Sequence, residues 1–183
     1  MATDFFPTSR CLDRPWAICR LSGTIILFLL LTLPAAAAEK AGYLALTIKK
    51  DALMKEMMSG KVMMLPEFEI YDAQGFRIYH SHGLPDSFRA DVQAALAGNS
   101  RESHRFSDIR NHMLYMEGKP LEEDLLNGAD FVFVEYWADW CSSCQQQMKQ
   151  VESIIGNHPD MNILWLKVEK DPTKLEGMEI RRQ

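Results

Sequence analysis

Hydrophobic and polar positions alternate sharply in the middle of the chain: Phe68 and Ile70 interleave with Glu67 and Glu69, and Phe76-Arg-Ile-Tyr79 repeats the pattern. A period of two describes a half-buried strand, and Asp72-Ala-Gln-Gly75 between the runs is a turn signal, so residues 62 to 79 predict a β-hairpin. Upstream, residues 43 to 48 form an apolar-rich strand candidate, and Asp51 to Met58 a short helix closed by Ser59-Gly60. After Pro85-Asp86-Ser87 the period changes to that of a helix, with Phe88, Val92, Ala95 and Leu96 on one face and Gly98-Asn99 as the stop. The stretch 99 to 112 is polar without period and reads as a loop; Met113-Leu-Tyr-Met followed by Glu117-Gly-Lys-Pro120 suggests a second hairpin turn. Phe131-Val-Phe-Val134 is continuously apolar, which suits a strand covered on both faces. Cys144, Met148, Val151 and Ile155 then mark one face of a helix ended by Gly156-Asn157 and Pro159. Residues 162 to 168 give another buried strand, and Asp171-Pro172 opens a last short helix. The stretch 130 to 180 is thus β-α-β, a crossover whose strands run parallel.

The order of elements predicts an α/β domain with a mixed sheet flanked by helices. The first 38 residues stand apart. Arg10, Arg14 and Arg20 precede the apolar run 21 to 34, and Ala35 to Ala38 supply small residues for cleavage. That is the layout of an export signal, with an uncleaved membrane anchor as the alternative. Four segments follow: 1–38 as signal or anchor, 39–98 as strand-helix plus hairpin-helix, 99–127 as linker, loop and short hairpin, and 128–183 as the β-α-β unit.

Charge and cysteine content narrow the chemistry. The net charge is −5, and −6 without residues 1–38, so nucleic acid is not an expected partner. Cys11 and Cys19 lie in the signal segment, which leaves Cys141 and Cys144 in the body of the chain. Export would place them where disulfides form, most simply a bacterial periplasm. The pair could ligate a metal, act as a structural staple or cycle between thiol and disulfide. Cys141 falls at the start of the helix that follows a buried strand, where free amides and the helix dipole favour a thiolate. Cys144, one turn on and facing inward, is placed to resolve a mixed disulfide. Glu135 interrupts the apolar strand and has two readings: a desolvated carboxyl serving as proton shuttle for Cys144, or a solvated glutamate near the strand end.

Val134-Glu-Tyr-Trp-Ala-Asp-Trp-Cys-Ser-Ser-Cys144 resembles the active-site segment of the thioredoxin superfamily, and its phrasing is closest to periplasmic, TlpA-like thiol-disulfide reductases. The resemblance implies a thioredoxin-like sheet, Cys141 as nucleophile, Cys144 as resolving thiol with a Cys141–Cys144 disulfide, and Glu135 as the buried acid. It further implies Trp137 and Trp140 as aromatic positions flanking the site. No cofactor is implied; the partners are protein dithiols and disulfides and an upstream electron donor in the membrane or periplasm. Thioredoxins continue after β-α-β with a cis-proline loop, two antiparallel strands and a helix, and this sequence has no such continuation. Residues 62 to 98 have that missing character, with Leu65-Pro66 where the cis-proline would stand. Two expectations follow: a circularly permuted fold in which Pro66 reaches the cysteines, or a C-terminally truncated one. Ser142 and Ser143 between the cysteines, with no histidine, favour a reductant over a strong oxidant.

A competing reading is a periplasmic copper-binding protein or metallochaperone. Its ligands would come from the cysteines and from Met57-Met58, Met63-Met64, His80, His82, His112, Met113 and Met116. Methionines at helical spacing are more often core filler, which weakens it.

Overall fold

The computed structural model describes residues 42–60, 62–98 and 100–175, so the signal-or-anchor segment lies outside the described residues. Six strands form one mixed sheet: β1 (Leu44–Ile48), β2 (Glu67–Asp72), β3 (Arg77–His82), β4 (Met113–Tyr115), β5 (Phe131–Trp137) and β6 (Ile163–Glu169), in the spatial order β3-β2-β5-β6-β1-β4. The helices are α1 (Lys50–Met58), α2 (Phe88–Ala97), α3 (Phe106–Arg110) and α4 (Ser142–Gly156), and a 3₁₀ turn spans Pro172–Leu175. Among the described residues, no helix is long and apolar enough to cross a membrane.

β5 runs parallel to β6 through the α4 crossover and antiparallel to β2, which pairs in turn with β3. The hairpin-helix segment therefore precedes the β-α-β unit in sequence yet sits beside it in the sheet. The mixed sheet flanked by helices is consistent with a thioredoxin-like fold, and the Leu65–Pro66 peptide is cis, immediately before β2. Val132 to Tyr136 of β5 are all buried, as its continuous hydrophobicity requires.

Each face of the sheet has its own core. On one face, α2 and α4 bring Phe88, Val92, Met148, Val151 and Ile154 against Phe68, Ile70, Phe133 and Trp165. On the other, Phe106, Met113 and Leu121 pack over Leu46, Tyr71, Val132, Val134 and Leu166. Residues 100–127 are more structured than their polar composition suggests. Phe106 anchors α3, backbone bonds from Arg77 and Glu102 tie the segment to the start of β3, and β4 pairs antiparallel with β1. The turn at residues 117–120 forms, closed by backbone bonds from Gly118 N–H to Tyr115 O and from Tyr115 N–H to Lys119 O and by the Leu114–Pro120 bridge, while the strand that pairs with β4 is β1.

Candidate functional site

The end of β5 hands the chain directly to the cysteines. Cys141 N–H bonds to Ala138 O at 3.0 Å, turning the backbone into α4, and Cys141 occupies the N-cap of that helix. The Cys144 amide donates to Cys141 Sγ at 3.1 Å. A sulfur in this position receives one of the otherwise unpaired amides of a helix start, and that interaction favours its anionic form. The two sulfurs are joined in a disulfide, with the Cα atoms 5.3 Å apart. Cys141 retains 4% exposure against 0% for Cys144, so the inner thiol is fully covered and the outer one nearly so.

Glu135 is wholly buried, which removes the solvated reading. It shares its face of β5 with Phe133 and Trp137, the face that α4 covers. Its neighbours across the sheet are Phe68 and Lys167. Trp165 Nε1 donates to Oε2 at 3.1 Å, and Oε1 has no hydrogen-bond partner among the described residues. Desolvation pushes the carboxyl up to about 8, with the Lys167 charge and the Trp165 hydrogen bond pulling the other way. A proton acceptor in this range is matched to a thiol near its ordinary value of about 8.5.

Trp137 is half-buried and packs into the α2–α4 core. Trp140 is 57% exposed and its indole donates to Asp171 at 3.2 Å. It therefore offers an aromatic surface beside Cys141. Pro66 is buried. The β2–β5 register sets Glu67 opposite Tyr136, so Pro66 comes level with the end of β5 from which the cysteine turn departs. Gln147 was not legible as a core residue, since its neighbours Gln145 and Gln146 face solvent. It is fully buried on the inner face of α4, and its side-chain amide has no hydrogen-bond partner among the described residues. The buried stripe of α4 passes through residues 147, 151 and 154, one position away from the Ile155 that the periodicity selects.

The opposite face of the sheet holds a second polar cluster. A cavity of about 720 Å³ is lined by His80, His82, His104 and His112, together with Glu67 and Lys170 among others. Neither cysteine lines it, nor do Met57, Met58 or Met116. Of the ligands named in the copper reading, Met64, Met113, His80, His82 and His112 line the cavity, and the cysteines stand apart from them. Lys170 Nζ reaches Glu56 at 2.6 Å and Glu67 at 3.0 Å. Burial works against its charge, but the two carboxylates raise its pKa overall. Burial likewise works against the Glu67 carboxylate, yet the His80 hydrogen bond and the Lys170 charge hold its pKa at about 2. Deeper in, Glu69 accepts from Arg77 at 2.7 Å and from the Tyr71 hydroxyl at 2.9 Å.

Residues 112–181 match the family model described as Thioredoxin. The chain is 31% identical to the thioredoxin of Streptomyces clavuligerus over 51 residues, which is 28% of this chain and 48% of that protein. It is 28% identical over 72 residues to the thioredoxin of Buchnera aphidicola subsp. Acyrthosiphon pisum (strain APS), covering 39% of this chain and 67% of that one. With the thioredoxin of Thiocapsa roseopersicina it shares 23% identity over 74 residues, 40% of this chain and 81% of that one. The alignment thus spans about half the length of the first of these relatives. No solved structure gives a significant match. The matched segment and these relatives make the C-terminal part of the chain similar to thioredoxins, on a mixed sheet consistent with a thioredoxin-like fold.

Proposed function

We propose that the protein is an exported thiol-disulfide oxidoreductase of the TlpA-like kind, working in a periplasm and, in its net direction, reducing disulfides in other proteins. In the reduced enzyme the Cys141 thiolate attacks one sulfur of a partner disulfide. The Cys141–partner bond forms, the partner bond breaks, and the departing partner thiolate takes up a proton. Glu135, in its carboxylate form, accepts the proton of Cys144. The Cys144 thiolate then attacks Cys141 Sγ, closing the Cys141–Cys144 disulfide and releasing the second partner thiolate. Two electrons have passed to the partner, and an upstream dithiol in the membrane or periplasm restores the enzyme. Trp140 and the cis-Pro66 strand flank the cysteine turn and suit contact with an extended partner segment.

The observation that carries this reading is the Cys141–Cys144 disulfide at the N-cap of α4, with a buried, high-pKa carboxyl on the strand beneath that helix. The reducing direction rests on the serines between the cysteines. A Cys144→Ala variant should accumulate mixed disulfides with partner proteins, and Cys141→Ala should accumulate none. Reduction potentials of such pairs run from about −270 mV for reductants to about −120 mV for strong oxidants. A value at the oxidising end reverses the direction, and an absence of trapped partners removes the proposal.

A further inference from the structure

We propose that the protein binds one divalent first-row transition-metal ion, with Zn²⁺ and Cu²⁺ the best matches, through His80, His82 and Glu67 at the cavity on the sheet face opposite α4. The site follows from register. His80 and His82 are two apart on the edge strand β3 and project to the same face, where Glu69 and Glu67 lie opposite them on β2. The two imidazole rings meet edge to face with centroids 4.4 Å apart. Both turn a nitrogen toward the same carboxylate oxygen: His80 Nε2 lies 3.3 Å and His82 Nδ1 4.0 Å from Glu67 Oε1. The three ligand atoms all lie within 4.8 Å of one another. Tetrahedral Zn²⁺ with bonds of about 2.0–2.1 Å needs ligand atoms roughly 3.3 Å apart. His80 and Glu67 already meet that spacing, and the exposed His82 ring needs only a small rotation.

An ordinary histidine–carboxylate hydrogen bond accounts for His80 but not for the convergence of His82 on the same oxygen. The other Glu67 oxygen is engaged by Lys170 Nζ at 3.0 Å, and Lys170 is fixed in turn by Glu56. An outer partner of this kind orients a ligating carboxylate. Three protein ligands leave a fourth position facing the cavity, open to water or a small ligand. Imidazole nitrogen with one carboxylate suits Zn²⁺ or Cu²⁺, whereas Mg²⁺ and Ca²⁺ prefer all-oxygen shells. The ligand set is separate from the cysteines and does not depend on the redox reading.

The test uses the full chain with Cys141 and Cys144 oxidised and with Cys11 and Cys19 alkylated, so that no thiol competes. Zn²⁺ is titrated against a chromophoric chelator, with Cu²⁺ and Mg²⁺ in parallel. One equivalent of Zn²⁺ or Cu²⁺ should bind at micromolar concentration or tighter, and Mg²⁺ should not displace it. His80→Gln and His82→Gln, which leave the Lys170–Glu67 pair intact, should each weaken binding by at least about tenfold. His104→Gln and His112→Gln, at the same cavity, should leave it unchanged. If His80→Gln fails to fold, the exposed His82 position decides alone. A chain that takes up neither Zn²⁺ nor Cu²⁺, retains binding after the His80 and His82 substitutions, or loses it with His104→Gln overturns the assignment.

Discussion

Glu135 shows how one residue links the stability of this protein to its chemistry. A carboxyl whose pKa rises from 4.5 to about 8 on folding binds its proton more tightly in the folded state. With respect to this group, stability is greatest below pH 4.5, falls by up to about 1.4 kcal/mol per pH unit as pH rises toward 8, and is level beyond. Glu135→Gln keeps an acceptor for the Trp165 indole and cannot ionise. Its denaturation midpoint should lose that slope and exceed the parent's at pH 8; urea unfolding at several pH values measures it, and an unchanged slope contradicts the burial argument. The same variant should slow closure of the Cys141–Cys144 disulfide on the order of 10²-fold near pH 7, as expected for loss of a positioned proton acceptor. Cys141 makes a second residue-scale case. With the Cys144 amide on its sulfur, the reduced thiol should titrate below about 8.5. The pH profile of iodoacetamide alkylation reads this directly, and an ordinary profile would remove the basis for its nucleophilicity.

At the scale of elements, β2 holds the two halves of the sequence together. It pairs with β3 on one side and β5 on the other, and Phe68 from it meets Phe88 of α2 at 5.2 Å and Phe133 of β5 at 5.5 Å, both edge to face. Deleting that ring leaves a cavity where three elements converge. Phe68→Ala should cost about 3–5 kcal/mol in chemical denaturation, and a loss below about 1 kcal/mol would mean the hairpin is peripheral to the core. The hairpin itself was legible because its alternation of Phe68 and Ile70 with glutamates leaves only one register that buries the aromatic ring. The short α3 was not legible, and β4 was legible only as an arm of a hairpin turn, not as a partner of β1. A five-residue helix and a three-residue strand carry too few residues for a period, and their positions follow from Phe106, Met113 and the free edge of β1.

For the molecule as a whole, the segment matched by the Thioredoxin family model omits β1, β2 and β3. Those strands supply one neighbour each to β5 and β6. A fragment of residues 106–183 should therefore lack a cooperative thermal transition by circular dichroism, while residues 39–183 should melt cooperatively. A sharp melt of the fragment would mean that pairing with β1 and β2 is not needed for stability. What the sequence determined by itself is local: the strand-turn-helix that puts Cys141 at a helix start, the partner thiol one turn behind, and the periods of β2, β3, β5, α2, α4 and β6. These follow from side-chain spacing over a few residues. Only the tertiary structure decided that Pro66 comes level with the end of β5, that Glu135 is sealed from water, that Gln147 is interior, and that His80 and His82 converge on Glu67. Each depends on contacts between segments far apart in the chain, and burial and register arise only when those segments pack.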